Sequence, residues 1–215
     1  MNLRGKIGGV LAALGLAAGL SLAGAGTAVA DVMPPPSGQW AEIFNPYLHA
    51  QGITLCVDDP SGSMTNGQQL QLWRCHGYAS NGAPQRWVIV PAEAWHMAYD
   101  GSGNTVFGPL QDTLTGGAAY VVVNEASGLC LTAQAYQPAA SVIQAPCNAV
   151  PFTKDVWELH TVNGPDGPDF QLYALWASGS SPSCVSASNF TDSNGTRLVM
   201  EACDRYDTSQ LWNLG

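Results

Sequence analysis

A carboxylate, an amide and an indole lie near the first two cysteines of the chain. Asp58 follows Cys56 by two positions, and Gln71 and Trp73 lie in the run QLWRC that ends at Cys75. An aromatic ring can cover the C–H face of a sugar, while a carboxylate can accept hydrogen bonds from two adjacent hydroxyl groups. Trp73 and Asp58 are therefore the two chemistries that contact with a sugar ring needs. The alternative interpretation makes Trp73 a core residue and Asp58 a turn residue before a proline.

The same frame of two cysteines and one tryptophan occurs three times, at nearly equal spacing. Such internal repetition predicts three copies of one structural unit. Its members are Cys56, Cys75 and Trp87 in the first copy, Cys130, Cys147 and Trp157 in the second, and Cys184, Cys203 and Trp212 in the third.

The repeat also indicates how the six cysteines pair. An even number of cysteines in an exported chain indicates disulfides. Six cysteines allow fifteen pairings, but the frame favours one disulfide within each copy. Each bridge would stabilise the fold by roughly 3 kcal/mol. Zinc binding is the alternative, but the sequence has no C-x-x-C pair and its four histidines are scattered. We expect no metal and no cofactor.

Residues 1–30 have the pattern of a secretory signal peptide. Arg4 and Lys6 form a basic start, an apolar core broken by glycines follows, and Ala28-Val29-Ala30 is a small-residue cleavage site. A transmembrane anchor is the competing interpretation, but the apolar run is short and no basic residues follow it. We therefore expect a secreted, extracellular protein, with residues 31–40 as a proline-rich leader.

The charge of the chain limits its partners. The formal net charge is −9 at pH 7, from 16 acidic and 7 basic residues. A chain this acidic repels nucleic acid and anionic membranes, and acidic polymers are poor partners for the same reason. We expect a neutral ligand, no membrane span, and a monomer.

Short apolar strands alternate with Gly, Asn, Ser and Pro turns along the chain, which predicts an all-β domain with almost no helix. The sequence divides into repeat one at 41–90, an insertion at 91–118, repeat two at 119–160, a Gly/Pro/Asp-rich connection, and repeat three at 169–215. The insertion contains Trp95 and Phe107. It is either a lid or second binding surface, or a surface segment whose aromatic residues pack onto the barrel; we prefer the latter.

Three cysteine-paired copies of four strands, each ending on Gln-x-Trp or a relic of it, resemble the ricin B-chain type β-trefoil lectins. The same fold serves xylan- and galactose-binding modules of secreted glycosidases. The resemblance implies a β-trefoil, with six strands in a barrel and six in three capping hairpins. The closing tryptophans Trp87, Trp157 and Trp212 persist in all three copies, which indicates that they belong to the core.

The resemblance implies a sugar pocket in repeat one, made by Asp58, Gln71, Trp73 and Gln85. An asparagine of the family motif is replaced by Pro84, which has no side-chain hydrogen-bonding group. Its role would then fall to His76 or Asn81.

The other two copies lack the pocket residues. Thr132 and Ala145 replace the acid and the aromatic ring in repeat two, and Ser186 and Glu201 replace them in repeat three. The sequence therefore predicts at most one working pocket, binding weakly and monovalently.

An enzyme and a protein-binding protein are the two other classes of function. The sequence lacks nucleophile-elbow, metalloprotease and phosphate-loop motifs, and the adjacent carboxylates Asp58 and Asp59 would point to opposite faces of a strand, so we expect no enzyme. The alternative is a protein-binding trefoil, for example a protease inhibitor or a surface-interaction protein, that has lost sugar binding.

Asn189 and Asn194 lie in N-x-Thr sequences that could accept a glycan.

Overall fold

The computed structural model describes residues 39–77, 82–92, 119–147, 154–164, 167–174 and 182–215. The expected signal peptide, nearly all of the proline-rich leader, most of the insertion and Asn81 lie outside these residues. Within the described part of the chain, no helix has the length and apolar content needed to cross a bilayer.

The described chain contains twelve strands and one short α-helix. The helix α1 spans Pro46–Ala50, and the strands are β1 (Ala41–Phe44), β2 (Leu55–Asp58), β3 (Gln71–Arg74), β4 (Arg86–Pro91), β5 (Ala119–Asn124), β6 (Cys130–Ala133), β7 (Val142–Ala145), β8 (Trp157–Gly164), β9 (Gly167–Ala174), β10 (Ser183–Ala187), β11 (Thr196–Ala202) and β12 (Asn213–Leu214).

Six of these strands close into a barrel. Antiparallel pairing runs from β1 to β4, β5, β8 and β9, an isolated bridge joins Phe170 of β9 to Trp212, and β12 pairs back to β1. Closure leaves no unpaired edge in the ring, so each strand buries its apolar face against the others.

The other six strands form three hairpins, β2–β3, β6–β7 and β10–β11. Each hairpin pairs with the next. Thr196 and Arg197 pair with Leu72 and Gln71, and single bridges join Gln69 to Ile143 and Ser141 to Val199. This threefold arrangement of four-stranded units confirms the predicted all-β trefoil.

The closing tryptophans occupy equivalent places in the core. Trp87, Trp157 and Trp212 are at most 1% exposed. Their indole N–H groups donate to the backbone carbonyl directly after the first cysteine of the same repeat, at 2.9, 3.0 and 3.2 Å, and the acceptors are Val57, Leu131 and Val185. The same hydrogen bond in every repeat satisfies the one polar atom of each buried ring.

Each repeat is also closed by its own disulfide. The bonds join Cys56 to Cys75, Cys130 to Cys147 and Cys184 to Cys203, with sequence separations of 19, 17 and 19. In repeat one the bond ties the middle of β2 to the residue after β3, so it holds together the two strands that carry Asp58, Gln71 and Trp73.

Two local features differ from the sequence-based expectation. Helix α1 was not predicted, although Asn45 caps it by accepting a hydrogen bond from Leu48 N at 3.0 Å and Pro46 occupies its first turn. The segment expected to connect repeats two and three is largely strand. Strands β8 and β9 pair all the way to Gly164 opposite Gly167, because the hairpin ladder outweighs the turn preference of Gly, Pro and Asp.

Candidate functional site

The hairpin β2–β3 brings together the three side chains that define the sugar-site hypothesis. Asp58 ends β2 directly opposite Gln71, and Trp73 lies opposite Cys56. Residues opposite each other or two apart on a strand share a face, so the carboxylate, the amide and the indole project to the same side. Gln71 Nε2 donates to Asp58 Oδ2 at 2.8 Å, and Trp73 is 37% exposed.

These side chains border a pocket of about 410 Å³. That volume is within the usual range for small-molecule sites. The lining combines one carboxylate, one amide, one imidazole and one hydroxyl with an indole and two proline rings: Asp58, Pro60, Ser61, Gln71, Trp73, His76 and Pro84.

Asp58 lines the pocket, and the residue is 6% exposed. Burial raises the pKa of Asp58 above its ordinary value, while hydrogen bonds from the amides of Gln71 and Gln85, and the charge of His76, act in the opposite direction. The Gln71 bond fixes one oxygen of the carboxylate. This arrangement suits an acceptor for the hydroxyl groups of a ligand.

Gln85 lies beneath the pocket and is fully buried. Its Oε1 accepts from His76 N at 2.8 Å and its Nε2 donates to Arg74 O at 3.0 Å, so the amide clamps the backbone on either side of Cys75. Gln210 does the same around Cys203, through Asp204 N and Ala202 O. The repetition of this clamp in repeat three indicates that Gln85 positions the pocket wall.

His76 and Pro84 lie on the side of the pocket where the sequence has proline in place of the expected asparagine. The His76 side chain is exposed and lines the pocket, near enough to Asp58 to influence its charge. The Pro84 ring forms part of the wall, and its carbonyl accepts from Asp59 N at 3.0 Å and Asn124 Nδ2 at 2.9 Å. His76 therefore brings a polar group to this side of the pocket, whereas the position of Asn81 is outside the described residues.

The sequence hypothesis missed the wall formed by Pro60 and Ser61. This turn follows Asp58-Asp59, and Ser61 has a φ of 62°, in the left-handed region that non-glycine residues rarely adopt. At Gly62, which also has a φ of 62°, an added Cβ would come within 3.2 Å of Pro84 Cγ. The D-P-S-G sequence was a recognisable turn signal. Its role in the pocket became visible only when Pro84 was placed against it.

The register identifies the corresponding positions in repeats two and three. Ala145 lies opposite Cys130, and Glu201 lies opposite Cys184, as Trp73 lies opposite Cys56. Neither provides an aromatic face.

The acid position is likewise replaced in both repeats. Thr132 turns its hydroxyl back to Cys130 O at 2.9 Å, and Ser186 shares a hydrogen bond of 2.8 Å with Ser209. These short hydroxyl side chains therefore satisfy their hydrogen bonds within the protein.

Among the described residues, one group of potential metal ligands lies close together: Glu42, Cys56 and Cys75. Its two sulfur atoms are bonded to each other. A disulfide sulfur is not a thiolate ligand, so this group does not fit a metal site.

Similarity to known proteins appears at the level of structure. No family model and no curated protein sequence matches the chain. The structure resembles the designed threefold-symmetric protein ThreeFoil, with a TM-score of 0.57, 18% identity, and coverage of 81% of this chain and 96% of the other.

Two natural proteins have similar structures. The Rhizoctonia solani agglutinin matches with a TM-score of 0.53 and 17% identity, over 85% of this chain and 96% of the agglutinin. The exo-β-1,3-galactanase 1,3Gal43A of Clostridium thermocellum matches with a TM-score of 0.55 and 16% identity, over 84% of this chain and 31% of the galactanase. At these identities the likeness establishes the architecture, and the chain has the β-trefoil fold.

Proposed function

We propose that this protein is a secreted lectin-like module that binds a neutral sugar through one pocket in repeat one. The observation that carries the proposal is the shared face of Asp58, Gln71 and Trp73 around a pocket of about 410 Å³. A fixed carboxylate beside a half-exposed indole offers the two contacts that a sugar ring needs, one for its hydroxyl rim and one for its C–H face.

The charge of the chain, the similar structures and the expected export support the same ligand class. The net charge of −9 disfavours nucleic acid and polyanions, and an agglutinin and a galactanase are among the proteins with similar structures. Export through residues 1–30 would bring the protein to an extracellular glycan and allow its three disulfides to form.

Affinity should be modest. One open pocket with one stacking surface should give a dissociation constant between about millimolar and tens of micromolar. Salt should change it little, because no ionic contact with the ring is involved.

Calorimetry or ligand-observed NMR with galactosides and xylo-oligosaccharides tests the proposal. Trp73→Ala and Asp58→Asn should each abolish binding, while Thr132→Ala and Glu201→Ala, at the corresponding positions of the other repeats, should leave it unchanged. Binding that survives both repeat-one substitutions would contradict a single site there. A complete lack of sugar binding by the parent protein would favour the protein-binding alternative.

A further inference from the structure

A strand of repeat three extends the row of polar side chains that begins in the pocket of repeat one. Arg197, in β11, pairs with Gln71 of β3, which in turn pairs with Asp58 of β2. Directly opposite residues project to the same face of a sheet, and adjacent strands are about 4.8 Å apart. The row therefore starts the Arg197 side chain two strands from Asp58, on the same face as the pocket and on the far side of Gln71.

The turn before β11 is hydrogen-bonded to β3, the strand that carries Gln71 and Trp73. Gly195 N donates to Leu72 O at 2.9 Å, and Asn194 Oδ1 accepts from Arg74 N at 2.7 Å. Gly195 has a φ of 87°, and a Cβ built on it would lie 3.9 Å from Gln71 Oε1. The backbone of repeat three thus borders the site of repeat one, and Arg197 follows two residues after this contact.

The Arg197 side chain is exposed, and within the described part of the chain it makes no hydrogen bond and no ion pair. Arg74 is likewise exposed and makes no side-chain hydrogen bond or ion pair among the described residues, but it lies opposite Leu55, on the other face of β3 from Gln71. By contrast, Arg86 pairs with Glu125, and Arg205 lies over the ring of Tyr206. All the hydrogen-bond donors of the Arg197 guanidinium are therefore available to a ligand.

We propose that Arg197 forms a second subsite, which binds the carboxylate of an acidic sugar unit joined to the neutral ring held at Trp73. A planar guanidinium donates two parallel hydrogen bonds to a carboxylate, a geometry that a neutral hydroxyl group cannot match. This inference rests on the proposed sugar binding and adds a preference for a mixed neutral and acidic glycan.

The acidic net charge is compatible with such a ligand. Interactions between exposed charges are screened beyond about 8 Å at physiological ionic strength, so one carboxylate beside Arg197 is affected mainly by its nearest charges. A densely charged polymer would still meet repulsion along its length.

Calorimetry with three probes tests the second subsite: a neutral monosaccharide, a neutral disaccharide, and the same disaccharide with one unit oxidised to a uronic acid. The uronic acid should raise affinity about threefold to tenfold over the neutral disaccharide. Arg197→Gln should remove that gain and leave the affinity for the monosaccharide unchanged. About 0.5 M salt should also remove it.

Arg205→Gln is the matched control, since it removes an exposed guanidinium from the same repeat and should keep the gain. Equal affinities of the parent protein for the two disaccharides, or a gain that survives Arg197→Gln, would overturn the second subsite while leaving the neutral-sugar pocket intact. If the parent protein binds none of the three probes, the proposed function fails and this inference fails with it.

Discussion

Two neighbouring carboxylates show how far the environment of a single residue can change its chemistry. Asp58 faces the pocket, whereas Asp59 is fully buried, and neither of its oxygens has a hydrogen-bond partner within the described residues. Burial, together with the charge of Asp58, raises the pKa of Asp59 to about 7, although the nearby amide of Gln144 acts in the opposite direction. Asp59 therefore titrates near neutral pH and is about half protonated at pH 7.

The shifted pKa of Asp59 predicts a stability that falls with rising pH. The folded-state pKa of about 7 exceeds the ordinary value of 3.8. The contribution of the neutral acid is therefore complete below about pH 4 and is lost as the pH rises through 7, by roughly 4 kcal/mol at most. Urea unfolding of the parent protein and Asp59→Asn at pH 5 and pH 8 should show the variant gaining relative stability at pH 8. Parallel pH dependences would contradict this prediction.

Asp58 predicts a different pH dependence, that of ligand binding. Its carboxylate accepts stronger hydrogen bonds from sugar hydroxyl groups when it is ionised, and burial raises the pKa of Asp58 above its ordinary value. Affinity should therefore fall on acidification, starting at a higher pH than for an exposed aspartate. Titration of a neutral sugar between pH 4 and pH 8 measures the effect. Constant affinity over this range would argue against a role for the ionised carboxylate.

Among the elements, the segments that end each repeat contribute their tryptophans to the core, while the hairpin β2–β3 contributes side chains to the pocket. The three closing tryptophans make the same indole-to-carbonyl hydrogen bond, whether or not their repeat carries pocket residues. Trp73, in contrast, has an exposed face and an open neighbourhood. Under the proposed function, stability and binding would thus depend on different tryptophans.

This division predicts opposite effects for two tryptophan substitutions. Trp157→Ala should cost about 3 to 5 kcal/mol of unfolding free energy, because it leaves a cavity and removes the hydrogen bond to Leu131 O. Sugar affinity of the remaining folded protein should not change. Trp73→Ala should have the reverse effect, losing binding with little loss of stability. Thermal unfolding and calorimetry on both variants distinguish the two roles, and equal destabilisation would place Trp73 in the core.

At the scale of the whole molecule, three equivalent units enclose one core but differ in what they offer to a ligand. Gln69 illustrates the closure: its Nε2 lies 3.2, 3.0 and 2.6 Å from Leu70 O, Val142 O and Leu198 O, one carbonyl from each repeat, so that its two hydrogens are shared among three acceptors. The fold requires all three units, because each hairpin packs against the next. A sugar site needs only one of them.

A single site predicts the absence of avidity. A lectin with several pockets gains on a polymer because later contacts become intramolecular, and one pocket cannot make that gain. Calorimetry should give one site per chain, and a polysaccharide should bind no more tightly per site than a matching oligosaccharide. Precipitation of a branched glycan by the protein would contradict a monovalent molecule.

The sequence alone determined the fold to a large extent. The spacing of cysteines and tryptophans defined three repeats and their disulfides, and short apolar runs between turn residues predicted an all-β domain, because both patterns are local and repeat along the chain. The sequence also placed Asp58, Gln71 and Trp73 in one hypothesis, since they belong to a single hairpin.

Only the tertiary structure decided how side chains from distant segments meet. It placed Gln85 beneath the pocket, set Pro84 against the Pro60 turn, buried Asp59, and brought Arg197 of repeat three beside Gln71 of repeat one. These relations depend on strand register and on barrel closure. Both are long-range properties, because the pairing of two strands is fixed by the packing of the whole sheet and not by the spacing of residues within either strand.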